Sequence, residues 1–181
     1  MLYTGKGDNG TTGLFGCDQR MSKSSAIAEA LGSVDEINSL IGVLKMKAKN
    51  IPAVVGLSYH DLLSDVQQDL FIIQAELAGA DKQMDKERVS KVEGWIVIIE
   101  SELPPITSFF VSGGSMEGAM CDYARTVARR AERRVVAAIE EGTAHEKPPM
   151  LAYLNRLSSL LYALARLANH RGGIIEEKPH Y

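Results

Sequence analysis

The sequence predicts an all-α protein: a bundle of about five helices behind a glycine-rich N-terminal loop. Apolar residues recur every three or four positions in five segments, and proline or glycine separates most of these segments. No stretch shows the regular alternation of a half-buried strand. With 181 residues and a hydrophobic fraction of 45%, the chain can form one domain, 1–181, with a substantial core.

The first element is a loop, YTGKGDNGTTGLFG at positions 3–16. Gly5 to Gly10 match the G-x-G-x-x-G expression for dinucleotide binding, but that motif needs a strand before it and a helix directly after it. Thr11-Thr12-Gly13 follow instead, so the match does not predict a dinucleotide fold. The loop could still wrap phosphates with its backbone N–H groups. The alternative is a flexible N-terminal arm.

Three apolar stripes then predict the first three helices. The first is broken after Leu44 by Pro52 and Gly56, and the third is stopped by Pro104-Pro105. The stripes consist of Ile27, Leu31, Val34, Ile37, Ile41 and Leu44, then Leu62, Leu63, Val66, Leu70, Ile73 and Leu77, then Val89, Val92, Trp95, Ile96, Ile99 and Leu103.

Capping signals predict the last two helices. FFVSGGS at 109–115 is a short apolar segment that ends in a turn, and Ser115 is a suitable N-cap for a fourth helix reaching about Glu141. Pro148-Pro149 open the fifth helix, and Gly172-Gly173 end it. We therefore expect a loop at 1–23, an up-and-down, ferritin-like helical bundle at 24–171 and a flexible tail at 172–181.

Charge and composition exclude several classes of protein. The net charge is −3, which does not favour a general binder of nucleic acid or membranes. No apolar run approaches the roughly 20 residues that a membrane span requires. Cys17 and Cys121 make no disulfide framework, so we expect a reduced, cytoplasmic setting.

The strongest functional signal is ARTVARRAERRVV, residues 124–136. Four charged residues fall within about 100° of arc on a helix: Arg125, Arg129, Glu132 and Arg133. Like charges four residues apart destabilise an isolated helix, and one glutamate cannot neutralise three arginines. A polyanion on this face would do so; the alternative is a solvated face. Arg130 and Arg134 are expected to point elsewhere, towards water.

Polar residues in two other helices are weaker signals. Asp35 and Asn38 lie on or beside the first apolar stripe, where a carboxylate needs a partner such as an arginine of the fourth helix. Asn155 lies on a polar stripe of the fifth helix and could bind a purine edge or a ribose. Each of these side chains could instead lie at the surface.

Metal-site and nucleophile patterns are weak. The four histidines are scattered. Glu177-Lys178-Pro179-His180 matches the E-x-x-H of di-iron bundles but has no second copy. We predict no metal site built from dedicated side-chain ligands.

Together, these segments resemble the PduO-type ATP:corrinoid adenosyltransferases. YTGKGDNGTTGLFG, EALGSVDEINSLIG, FFVSGGS, ARTVARRAERRVV and YLNRLSSLLYALAR occur in the family's order and cover nearly the whole chain. The resemblance implies a five-helix bundle that acts as a homotrimer with sites at the subunit interfaces. It implies transfer of the 5′-deoxyadenosyl group of ATP, with Mg²⁺, to Co(I) of a corrinoid, with release of triphosphate. A reductase and a B12-dependent enzyme are further possible partners; the alternative is a non-catalytic ATP and corrinoid carrier or sensor.

The resemblance also assigns residues to roles. Asp35 and Arg125 resemble a pair that bridges neighbouring subunits, and Phe109 resembles the aromatic that displaces the lower ligand of the corrinoid. The catalytic set is Phe109, Arg129, Glu132 and Arg133. The ATP-binding set is Thr4, Gly5, Lys6, Gly7, Asp8, Gly10, Thr12, Lys23, Arg129, Arg130, Glu132, Arg133 and Asn155. The sequence departs from the family's usual pattern at Gly5, Leu31, Ser112 and Ser159.

Overall fold

The computed structural model describes residues 2–14, 19–47, 56, 58–145 and 148–181. Within them the chain forms five helices: α1 Ala26–Lys47, α2 Tyr59–Leu77, α3 Lys86–Glu102, α4 Met116–Glu140 and α5 Pro148–Arg171. The predicted all-α, five-helix class is therefore confirmed. One small feature was not predicted: strands β1 Thr11–Gly13 and β2 Arg20–Ser22 pair antiparallel, with Thr12 opposite Met21.

The helices begin and end where capping groups and helix breakers stand. Ser115 accepts a hydrogen bond from the backbone N–H of Gly118 at the start of α4, as predicted. Asp85 does the same for Arg88 at the start of α3, which ends just before Pro104. The predicted break at Pro52 lies outside the described residues, while Gly56 has a φ of +79° that favours glycine.

The bundle is built around α4, which packs against both α1 and α5. α1 also contacts α2, and α5 also contacts α3. The predicted stripes meet in one core, although Leu31, Ile96 and Leu103 are only partly buried at its edge. This arrangement exposes the polar faces of α4 and α5 side by side, so the charged side chains of both helices can contribute to one surface.

Two buried polar contacts join helices across the core. The hydroxyl of Tyr59 in α2 lies 2.8 Å from the sulfur of Cys121 in α4. Tyr153 in α5 donates to the carboxylate of Asp69 in α2 over 3.0 Å, and Arg88 pairs with the same carboxylate. Because a buried polar group is costly without a partner, these contacts fix the order in which the helices pack. Within the described ranges, none of the helices is both long enough and apolar enough to cross a membrane.

Candidate functional site

A cavity of about 530 Å³ opens beside α4 and α5. The segment at 106–110, which follows α3, forms one wall, and polar side chains of α4 and α5 form the other. Its lining mixes apolar, hydroxyl and cationic groups: Ile106, Thr107, Ser108, Phe109, Phe110, Arg125, Arg129, Ser158, Ser159 and Tyr162. A space of this size and composition suits a large, partly apolar ligand.

A second groove of about 310 Å³ lies further along α4. It is lined by Arg129, Glu132, Arg133, Val136, Ala137, Glu140 and Asn155. The amide of Asn155 donates to the carboxylate of Glu132 over 3.0 Å, so α5 contributes to the predicted arginine face. Arg129 lines both the cavity and this groove, which we call the arginine groove.

The arginine groove contains two cations, Arg129 and Arg133, beside two carboxylates, Glu132 and Glu140. Arg133 donates to the backbone carbonyl of Arg129 over 3.0 Å. In the part of the chain that the structure describes, no carboxylate pairs with the guanidinium of either arginine. The helix therefore holds two cations one turn apart on an exposed surface, which suits an anion with several charged oxygens.

Arg125 lies on the cavity side of α4. Its Nε is 3.1 Å from a carboxylate oxygen of Asp122, and its guanidinium lies over the ring of Tyr162, 5.8 Å from the ring centre. Partial burial raises the pKa of the Tyr162 hydroxyl above its ordinary value. Asp35, which is predicted to pair with Arg125 of a neighbouring subunit, accepts a hydrogen bond from Gln74 within its own chain.

Arg130 and Arg134 are exposed on another side of α4, as expected, but both also contact acidic residues of α1, which the sequence analysis did not predict. Arg130 pairs with Glu36 of α1, and the Nε of Arg134 lies 3.9 Å from a carboxylate oxygen of Glu29. Both line a separate groove between α1 and α4. The physical reason is that α1 presents its acidic residues towards this side of α4, which sequence periodicity alone does not specify.

The glycine loop consists of two tight turns, and hydrogen bonds from Arg20 in β2 and from Lys23 just after it hold them in place. Gly5 and Gly10 have φ values of +69° and +79°, which favour glycine. Lys23 donates from Nζ to the carbonyl of Gly7 over 2.9 Å, and a Cβ on Gly7 would lie only 3.0 Å from that nitrogen. Glycine therefore allows the lysine to approach the loop backbone.

Arg20 is a residue that the sequence analysis missed. Its Nη2 donates to the carbonyls of Lys6 and Thr11, over 2.7 and 2.8 Å, and its Nε donates to the hydroxyl of Thr11 over 2.8 Å. These bonds hold the two ends of the loop together. None of the hydrogen bonds and ion pairs described among residues 2–14, 19–47, 56, 58–145 and 148–181 joins this loop to the arginine groove.

The two adjacent phenylalanines have different surroundings. The side chain of Phe109 is 81% exposed and lines the cavity. Phe110 is partly buried, and its ring lies beside the guanidinium of Arg166, 5.2 Å from the ring centre. Phe109 is therefore free to contact a ligand, while Phe110 secures the same segment to α5.

Asn169 is a second residue that the sequence analysis missed. Its Oδ1 accepts from the N–H and the hydroxyl of Ser115, both at 2.9 Å, and its Nδ2 donates to the carbonyl of Gly113 over 3.0 Å. A Cβ on Gly114 would lie 2.7 Å from that Oδ1. The Ser-Gly-Gly turn is thus shaped to receive Asn169; a polar residue at a core position of α5 was the available signal.

Potential metal ligands are dispersed. Across the described ranges, no group of three or more His, Cys, Asp or Glu side chains could hold a metal ion.

The sequence is similar to a family of known enzymes. The sequence model described as cobalamin adenosyltransferase matches residues 2–168. The corrinoid adenosyltransferase of Bacillus subtilis (strain 168) is 39% identical over 177 residues, which cover 96% of this chain and 89% of that protein. Corrinoid adenosyltransferase PduO of Citrobacter freundii is 37% identical over 176 residues, but the match spans only 50% of that protein.

A solved structure shows the same fold. It is a variant PduO-type ATP:corrinoid adenosyltransferase from Lactobacillus reuteri complexed with cobalamin and ATP. The match covers 99% of this chain and 96% of that one, with a TM-score of 0.87 and 28% sequence identity.

Proposed function

The chain belongs to the cobalamin adenosyltransferase family, and we propose that it transfers the 5′-deoxyadenosyl group of ATP to Co(I) of a corrinoid. It is an enzyme of the ATP:corrinoid adenosyltransferase type. Co(I) attacks C5′ of ATP, the bond between C5′ and its oxygen breaks, and triphosphate leaves with the electron pair. The products are adenosylcobalamin, or the corresponding adenosylated corrinoid, and triphosphate.

The position of Arg129 carries this proposal. Since it lines both the cavity and the arginine groove, a corrinoid in the cavity and a triphosphate in the groove would meet at this side chain. The protein need not supply a nucleophile, because Co(I) is one. Its tasks are to align C5′ with the cobalt and to stabilise the charge that develops on the leaving oxygen.

The remaining residues of the groove support those tasks. Arg129 and Arg133 would bind the triphosphate with charged hydrogen bonds. Glu132 and Asn155, already bonded to each other, would hold the ribose or the base. We expect Mg²⁺ to enter with ATP, held mainly by phosphate oxygens and water, because Mg²⁺ with nucleotides needs few protein ligands.

Phe109 would act on the cobalt. Removing the lower axial ligand from Co(II) lowers the energy of the orbital that accepts the electron, so Co(I) forms more easily. An exposed aromatic ring on the wall of the cavity can exclude the lower base or water from that position. Phe109 therefore belongs to the reduction step, while the arginines belong to the transfer step.

A homotrimer would complete the nucleotide site. The glycine loop, with Thr4, Gly5, Lys6, Gly7, Asp8, Gly10, Thr12 and Lys23, has no described bond to the arginine groove of its own chain. We propose that the loop covers the triphosphate held by a neighbouring subunit, where Arg130 also contributes. A cytoplasmic location, a reductase and a B12-dependent enzyme as partners remain predictions from the sequence.

The test is a direct assay. The purified protein is given ATP, Mg²⁺ and chemically reduced cobalamin, and the spectrum of the cobalt–carbon bond is followed together with release of triphosphate. Formation of both products in equal amounts supports the proposal. Binding of ATP and cobalamin without a cobalt–carbon bond would identify the alternative, a carrier or sensor.

A further inference from the structure

Arg166 of α5 is a buried cation at the back of the segment that carries Phe109. Its side chain is 5% exposed. Nε lies 3.1 Å from a carboxylate oxygen of Glu176, Nη2 donates to the carbonyl of Pro104 over 3.2 Å, and the guanidinium lies against Phe110. A buried charge requires partners of this kind, and all three come from outside α5.

These contacts fix the segment at 104–111 at both ends. Arg166 holds the carbonyl of Pro104 at one end and the ring of Phe110 near the other. The N–H of Val111 donates to the carbonyl of Glu177 over 2.8 Å. Phe109 lies inside the span so held, and its own side chain remains exposed towards the cavity.

The C-terminal tail supplies the anion of this cluster. The carboxylate of Glu176 is largely buried beside Arg166, at 17% exposure. The same short stretch supplies the carbonyl that receives the N–H of Val111. Tail, α5 and the segment at 104–111 are therefore joined through two adjacent residues of the tail, Glu176 and Glu177.

We propose that Arg166 and Glu176 are positioning residues. They hold Phe109 in the place in the cavity wall from which its ring can displace the lower axial ligand of the corrinoid. This inference rests on the proposed function. The inference adds a role for the tail, which contributes no lining residue to the cavity. By holding the segment at 104–111, the tail takes part in reduction of the cobalt. Neither residue lines the cavity or the arginine groove.

Glu176→Gln removes the charge while keeping shape and an acceptor oxygen. Amide hydrogen exchange in peptides covering 104–111 should become about tenfold faster, because the restraint on Val111 and Pro104 weakens. With Co(II) cobalamin, ATP and Mg²⁺, the fraction of four-coordinate Co(II) should fall several-fold. The KM for ATP and the rate with chemically prepared Co(I) should stay within about twofold of wild type.

Glu102→Gln is the matched control. Glu102 pairs with Arg171 near the same end of α5, at 2.6 Å, and no described hydrogen bond or ion pair joins it to Glu176, Glu177 or the segment at 104–111. Glu102→Gln should leave the amide exchange at 104–111 and the fraction of four-coordinate Co(II) at their wild-type values. Arg166→Lys is a second variant, because lysine keeps the charge opposite Glu176 but cannot hold Pro104 and Phe110 simultaneously; it should act in the same direction as Glu176→Gln.

Amide hydrogen exchange and the Co(II) spectrum together test the proposal. Wild-type exchange at 104–111 in both folded variants would overturn it, as would faster exchange with an unchanged four-coordinate fraction. If wild-type protein fails to adenosylate cobalamin, the proposed function fails. The exchange result would then still show whether Arg166 and Glu176 hold the segment.

Discussion

Arg129 is the side chain at which we propose that the two substrates meet, and its removal should therefore affect catalysis more than folding. It is exposed on α4 and lines both the cavity and the arginine groove. Arg129→Ala should lower kcat/KM for ATP by about ten- to a hundredfold, since a charged hydrogen bond to phosphate contributes roughly 1.5–3 kcal/mol. Steady-state kinetics and the far-ultraviolet circular dichroism spectrum measure the two effects separately.

Arg134→Ala provides the comparison for Arg129→Ala. It removes an exposed arginine from the same helix, but one that faces Glu29 in the groove between α1 and α4. Its kcat/KM should remain within about twofold of wild type, because surface ion pairs contribute little. Equal losses in both variants would indicate a general effect of charge on α4 and argue against a triphosphate at Arg129.

Phe109 and Phe110 are neighbours, but substitution of Phe109 should affect the cobalt while substitution of Phe110 should affect stability. Phe109→Ala should leave stability nearly unchanged, because the ring is 81% exposed, but should reduce the amount of four-coordinate Co(II). Phe110→Ala should lower the free energy of unfolding by about 1–3 kcal/mol through lost packing on Arg166. Wild-type four-coordinate Co(II) in Phe109→Ala would show that this ring does not act on the axial ligand.

Helical geometry was sufficient to predict the arginine face but not the residues that brace the loops. Arg129, Glu132 and Arg133 share one side of α4 because side chains three and four positions apart point the same way. Arg20 and Asn169 act through backbone carbonyls and amides of distant segments. A polar residue at a core position of α5 singles out Asn169, but the partners of both residues depend on tertiary packing, which no spacing in the sequence specifies.

The glycine loop and β2 form one element that is held together by Arg20. Arg20→Ala removes hydrogen bonds to Lys6 and Thr11 while leaving the helices untouched. The KM for ATP should rise about three- to tenfold, because the loop must then be ordered when the nucleotide binds. Thermal stability should change little; isothermal calorimetry with ATP measures the affinity directly.

Ser24→Ala is the control for the loop variant. The hydroxyl of Ser24, which follows β2, lies 2.8 Å from the hydroxyl of Ser22, and no described hydrogen bond joins it to the loop. Its affinity for ATP should equal that of wild type. An unchanged affinity in Arg20→Ala would show that the loop does not contact the nucleotide.

The contact between α2 and α4 should make the fold sensitive to alkaline pH. Burial raises the pKa of the Cys121 thiol from 9.0 to about 12, and burial also raises the pKa of Tyr59. The folded protein keeps these protons while the unfolded chain loses them, so stability is complete below pH 9 and falls as the pH rises from 9 to about 12. Each group should steepen this decline by about 1.4 kcal/mol per pH unit.

Cys121→Ser tests the alkaline prediction. A serine hydroxyl can keep the hydrogen bond to Tyr59 but does not titrate in this range. Urea unfolding between pH 8 and 10.5 should give a shallower decline in the free energy of unfolding than wild type shows. Identical slopes would mean that the thiol does not contribute.

Helix periodicity and capping residues predicted the five helices, but not how their surfaces are used. Ser115 and Gly172-Gly173 set their boundaries through local backbone chemistry. The pairing of Arg130 with Glu36 depends instead on which sides α1 and α4 turn towards each other. The tail at 172–181 likewise shows no sequence periodicity, and its contacts follow from the position of Arg166 in the folded bundle.

At the scale of the whole molecule, the trimer that the resemblance to the family implies remains a prediction. Two charges offer a way to test this. Asp35 is exposed on α1 and contacts only the amide of Gln74 among the described residues, while Arg125 faces the cavity and pairs with Asp122. Neither contact prevents either side chain from pairing across a subunit interface, as the resemblance to the family implies.

Reversing both charges provides the sharpest test of that interface. Asp35→Arg and Arg125→Asp should each weaken assembly and corrinoid binding, because a like charge would face its neighbour across the interface. If the two side chains touch between subunits, the double variant should recover part of the loss, with a coupling of about 0.5–3 kcal/mol. Sedimentation equilibrium measures assembly, and titration with cobalamin measures the site. Strict additivity of the two single changes would show that the residues do not meet, and it would leave Asp122 and Tyr162, within the same chain, as the contacts that orient Arg125.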